Sequence, residues 1–66
     1  MKLKVDEKAD ALYLRLNEEA IVDSEEVQPG VILDYDGQGH VVGVELLGIK
    51  ARAGGASLRA LEFEAV

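Results

Sequence analysis

With 66 residues, 13 acidic against 7 basic side chains and no cysteine, the chain has room for one small domain and little else. Its net charge of -6 repels nucleic-acid phosphates and anionic lipid surfaces, and no apolar run approaches the roughly 20 residues needed to cross a bilayer. A domain of this size buries only about 60% of the surface its unfolded form exposes. Without disulfides or a cysteine cluster for zinc, association with another chain is the expected source of further stability.

Taken in order, Leu3 to Asp6 and Ala11 to Leu16 alternate apolar and polar residues, which predicts a first hairpin around a loop at Glu7 to Asp10. Val5 then pairs with Leu12, Leu3 with Leu14, Lys4 with Tyr13 and Lys2 with Arg15. A helix over Ala9 to Leu16 competes, because alanine and leucine favour it, but strict alternation after Ala11 selects the strand. Asn17 to Glu19 read as a polar turn. Ala20 to Gln28 carry too many acids for a central strand and suit an edge, closed by Pro29, which has no N–H for a ladder.

The second hairpin is the most apolar part of the chain. Val31 to Tyr35 and His40 to Leu47 flank Asp36-Gly37-Gln38-Gly39. With Gly37 and Gln38 at the tip, Asp36 faces Gly39, Leu33 faces Val42 and Val31 faces Val44. Beyond Leu47 the glycines Gly48, Gly54 and Gly55 bracket a short basic segment that reads as a flexible connection. Ser57 is placed to cap one helical turn through Ala60, and Leu61, Phe63 and Ala65 alternate with Glu62 and Glu64 as a short last strand, although Leu58, Leu61 and Ala65 also fit a helical stripe. The expected fold class is mainly β, α+β at most: an antiparallel meander of five or six short strands with a short C-terminal helical turn, in a single domain over residues 1–66.

Several motifs invite chemistry. Asp34-x-Asp36-x-Gln38-Gly39 with Glu45 has the spacing of a calcium loop, but that loop needs a helix on each side and the flanks here favour strands. Gly37-x-Gly39 with Gly43 lacks both the third-glycine spacing and the following helix of a dinucleotide loop. Ser24, Ser57 and His40 are the available nucleophiles and base, and neither serine sits on a strand-to-helix elbow. Asp34 and Glu45 share a parity and, with Arg15 if the hairpins adjoin, are expected to form a cross-strand ion pair rather than an acid–base couple. The residues thus predict no catalytic group, no cofactor and no metal.

Asp6-x-x-Ala9-Asp10-Ala11-Leu12-Tyr13-Leu14, then Glu26-Val27-x-Pro29-Gly30-Val31-Ile32-Leu33-Asp34-Tyr35-Asp36, then Gly39-x-x-Val42-Gly43-Val44-Glu45-Leu46-Leu47 form a run of fixed order and spacing. This run, spanning nearly all of residues 1–47, resembles the small prokaryotic domain-of-unknown-function family 2283. The resemblance implies a compact β-rich domain that commonly stands alone, is sometimes encoded beside small toxin-like proteins, and has no established activity. It leaves residues 48–66 as a variable, glycine-rich tail. The shared Asp10, Tyr13, Pro29, Gly30, Asp34, Gly39, Gly43 and Glu45 are all compatible with structural roles in loops, corners and face coverage.

The functional expectation is a non-enzymatic protein–protein interaction module, with the antitoxin-like member of a two-gene pair as one form. A self-assembling structural protein is the alternative. The partner is a second copy or a small basic protein, not nucleic acid or membrane. The charged N-terminus has no signal-peptide core, so the compartment expected is the cytoplasm. Ile32, Val41 and Leu47 lie on the parity opposite Val31, Leu33, Val42, Val44 and Leu46 and are the expected interface.

Overall fold

A computed structural model describes all residues, Met1 to Val66. The strands are β1 (Lys2–Asp6), β2 (Ala11–Arg15), β3 (Asp23–Gln28), β4 (Val31–Tyr35) and β5 (Val41–Leu47), followed by a one-turn helix α1 (Ile49–Arg52) and a 3-10 turn at Leu58–Ala60. All pairings are antiparallel, so the protein is mainly β as its alternation predicts.

The strand order is β1-β2-β5-β4-β3. Only β3, β4 and β5 follow one another as a meander; the link after β2 runs along one end of the sheet, from the Leu16 N–H bonded to Val42 O to the Val22 N–H bonded to Tyr35 O. Composition explains the order. The apolar β5 takes the centre, where both edges are paired, and the acidic β3 takes an edge, where charge discourages further strand addition. The edge position of β3 agrees with its sequence.

Register separates the two hairpins. The first has the expected pairs, Lys2–Arg15, Leu3–Leu14, Lys4–Tyr13 and Val5–Leu12. The second does not: Leu33 faces Val44 and Val31 faces Leu46, two residues away from the simple tip register. Its loop is larger because Asp36 N–H donates to His40 O, while Gly39 N–H donates to Asp36 O and Gly39 holds φ 82°. The Asp36 carboxylate reinforces this loop by accepting from the Gln38 and His40 N–H groups, each at 2.9 Å. A bulge between the Asp34–Gly43 and Tyr35–Val41 pairs then absorbs one residue. Because the displacement along most of the hairpin is even, Val31, Leu33, Val44 and Leu46 still share a face.

The tail departs from its sequence reading in two places. Residues after Gly48 form α1 rather than a flexible connection, anchored where Asp10 accepts from Ile49 N–H through its carbonyl and from Lys50 N–H through its carboxylate. The expected cap is present, with Ser57 Oγ accepting from Arg59 N–H. Residues 61–66 form no strand, since no other strand lies alongside to pair with them.

Two substitutions test the loop. Gly39→Val forces a β-branched residue into left-handed backbone and should cost roughly 1–2 kcal/mol, whereas Gln38→Val should stay within about 0.5 kcal/mol; urea midpoints compare them. The His40 amide, then the Gln38 amide and the His40 charge, hold the Asp36 carboxyl below its ordinary value despite some desolvation. Its stabilisation is therefore present above the unfolded carboxylate pKa and lost as pH falls through the lowered folded value. Asp36→Ala should flatten that acid limb.

Candidate functional site

Each face of the sheet is built from rows that cross the strands. On one face, Leu3, Leu14, Val44 and Leu33 form a row ending at Glu25, and Val5, Leu12, Leu46 and Val31 form the next, ending at Gln28. This face is apolar over four strands and turns polar only at β3. It is also open: Leu3, Val5 and Leu16 are exposed, and Leu12, Leu14, Val31, Leu33, Val44 and Leu46 are half-buried. Ala11, Val42, Ile49 and Leu58 are the whole buried apolar core.

The other face carries the polar groups. One row runs Lys2, Arg15, Gly43, Asp34, Ser24 and the next Lys4, Tyr13, Glu45, Ile32, Glu26, so its charge changes from basic at β1 to acidic at β3. At its centre Tyr13 Oη donates to Asp34 Oδ2 at 2.8 Å and Ser24 Oγ donates to Asp34 Oδ1 at 2.6 Å. Tyr13 reaches Asp34 from the neighbouring row by crossing β5 at Gly43. A Cβ there would lie 2.6 Å from Tyr13 Oη and 2.9 Å from Asp34 Oδ2, so the glycine provides the passage. Desolvation, then the Asp34 hydrogen bond and charge, raise the Tyr13 phenol above its ordinary value.

The ion pair expected of Arg15 with Asp34 or Glu45 is absent. Arg15 lies opposite Gly43 and its guanidinium donates to the Glu19 carbonyl, while Tyr13 takes Asp34. One Arg15 nitrogen, Nη1, is buried without a partner. The calcium-like spacing is not assembled: Asp34 faces Tyr13 and Ser24, Asp36 is engaged by the loop amides, and Glu45 lies opposite Ile32. His40 sits at the loop, 3.6 Å from Asp36, and Tyr35 lies opposite Val41. Ser57 is committed to its cap.

Of the sequence-derived interface residues, Ile32 and Leu47 are diagonal neighbours on the polar face, Ile32 opposite Glu45 and Leu47 opposite Ala11. The bulge sets Val41 opposite Tyr35, out of step with them. The structure brings together two of the three, and the larger open apolar surface lies on the Leu3–Leu33 face. Sequence reasoning missed the Tyr13–Asp34 bond because it required knowing that β2 adjoins β5. The available signal was Gly43, a lone glycine within an apolar strand.

These features define a small antiparallel single-sheet domain with one open apolar face and a polar strap across the other. The family model described as "Protein of unknown function (DUF2283)" matches residues 2–50, and the chain belongs to that family. No curated protein and no solved structure matches it. No helix is long and apolar enough to cross a membrane.

Tyr13→Phe should destabilise the fold by about 1–3 kcal/mol through loss of the bond to Asp34. Because the folded phenol pKa is raised, its contribution is complete below the unfolded tyrosine value and is lost as pH rises through the folded one. The variant should therefore have a flatter alkaline limb. Gly43→Ala should cost less in the Tyr13→Phe background than alone, since the oxygen it would strike is gone; a thermal-unfolding cycle measures that coupling.

Proposed function

We propose that the protein is a non-catalytic protein–protein interaction module whose working form is an assembly, with the open apolar face as its contact surface. The observation that carries this reading is the amount of surface left open. A compact monomer of this mass exposes about 4,100 Å², whereas this chain exposes 5002 Å². The radius of gyration, 12.7 Å, likewise exceeds the about 10.8 Å of a compact chain of this length. The excess resembles the roughly 800 Å² that one partner contributes to a standard interface.

The non-catalytic part is supported by the dispersal of the reactive groups: Ser24 is held by Asp34, Ser57 by its cap, and His40 stands at the hairpin loop. Absence of cysteine fits a cytoplasmic setting. A second reading, an antitoxin-like module for a small basic protein, is favoured by the exposed acidic edge formed by Asp23, Glu25 and Glu26 of β3.

Sedimentation equilibrium tests the assembly. The full chain should associate at micromolar concentration, with a thermal midpoint that rises with concentration. Leu16→Lys, at an exposed position beside the apolar face, should shift it toward monomer while retaining the β circular-dichroism spectrum. A chain that stays monomeric throughout, alone and with a small basic protein encoded beside it, would overturn the reading.

A further inference from the structure

Residues 61–66 have the pattern of a strand and nothing to pair with. Leu61 and Phe63 are exposed, Phe63 at 89%, and after the Ala60 N–H bond to Ser57 O no residue of this segment makes a backbone hydrogen bond. The sheet, in turn, has two unpaired edges, β1 and β3. We propose, building on the interaction-module reading, that residues 61–66 of one copy add as a strand to the β1 edge of a second copy, while the apolar faces of the two sheets close on each other.

The chemistry distinguishes the two edges. In an antiparallel register, Leu61 lies opposite Val5, Glu62 opposite Lys4, Phe63 opposite Leu3 and Glu64 opposite Lys2. The apolar members then extend the open face, where Leu3 is 46% and Val5 42% exposed. Both glutamates meet lysines on the polar face, the side on which Lys4 pairs with Tyr13 and Lys2 with Arg15. At β3 the same glutamates would meet Ser24 and Glu26 on one face, with Asp23 and Glu25 on the other, so like charges oppose addition there. The six-residue tail is long enough to span the five residues of β1, Lys2–Asp6. The added strand also covers the ladder groups that an edge leaves open.

The occupant is a second copy for two reasons. Arg59 pairs with Glu7 at the end of β1 in the same chain, yet the tail beyond it does not enter that chain's sheet. The open face and this tail are both exposed, and the surface in excess of a compact monomer is comparable to one side of a standard dimer interface. Reciprocal addition uses both in each copy and closes the assembly at two chains.

Complementation between full-length variants tests this. Glu62→Lys with Glu64→Lys places a basic tail against a basic β1, and Lys2→Glu with Lys4→Glu places an acidic tail against an acidic β1. Each double variant should self-associate about tenfold more weakly than the parent at low ionic strength, and an equimolar mixture should recover association because each tail then meets the opposite charge. Phe63→Ser should weaken association without any recovery on mixing with either variant. Recovery of the dimer mass in the mixture supports the exchange and shows both variants folded. Parent-like association of both double variants would overturn tail addition while leaving the interaction module standing. A parent chain that is monomeric at all concentrations, but binds a basic protein, would overturn self-association alone.

Discussion

The bond from Tyr13 to Asp34 over Gly43 is the contact on which the arrangement of the sheet depends. The two hairpins are separate in sequence, and their only continuous joint is the β2–β5 ladder. Tyr13 belongs to β2, Asp34 to β4 and Ser24 to β3, so this polar strap ties both sides of the joint and reaches the far edge. In a sheet with so small a buried core, a partly buried hydrogen bond to a carboxylate matters in proportion. The same contact explains why a glycine sits in the most apolar strand, where its low β propensity is otherwise a disadvantage.

The other constraint is size. Sixty-six residues supply one layer of sheet and a short tail, and that tail contributes only Ile49 and Leu58 to the buried set. Asp10, Arg52 and Arg59 fix it at one end of the sheet: Asp10 receives the Lys50 N–H, Arg52 donates to the Leu47 and Pro29 carbonyls, and Arg59 meets Glu7. These bonds hold the connection in place without spreading apolar cover across two rows of leucine and valine. A single layer cannot bury both of its faces, and within one chain the apolar face stays open.

Charge gives the sheet a direction. Basic groups on β1 and acidic groups on β3 make the two edges electrostatically unlike. Net acidity conceals this asymmetry, because all five strands contribute to a polar face whose sign changes across its width. The expected ion pair at Arg15 shows the related local effect. Matching parity put Arg15, Asp34 and Glu45 on one face, but the hydroxyl of Tyr13, reaching over the gap at Gly43, took the carboxylate instead.

The sequence by itself determined the antiparallel β class, the first hairpin with its register, the edge character of β3 and the cap at Ser57, because each follows from alternation, charge or a hydrogen bond within a few residues. It also placed Val31, Leu33, Val44 and Leu46 on one face, since side-chain parity survives an even slip. The register of the second hairpin depended on a loop closed from Asp36 to His40 and on a bulge, neither of which alternation records. Tertiary structure alone decided that β5 lies between β2 and β4, that Tyr13 reaches Asp34, and that the last six residues remain without a strand partner. The physical reason is the same in all three: these outcomes depend on which distant segments become neighbours, and that choice is made by the competition of all strands for the three interior places of a sheet too small to cover itself.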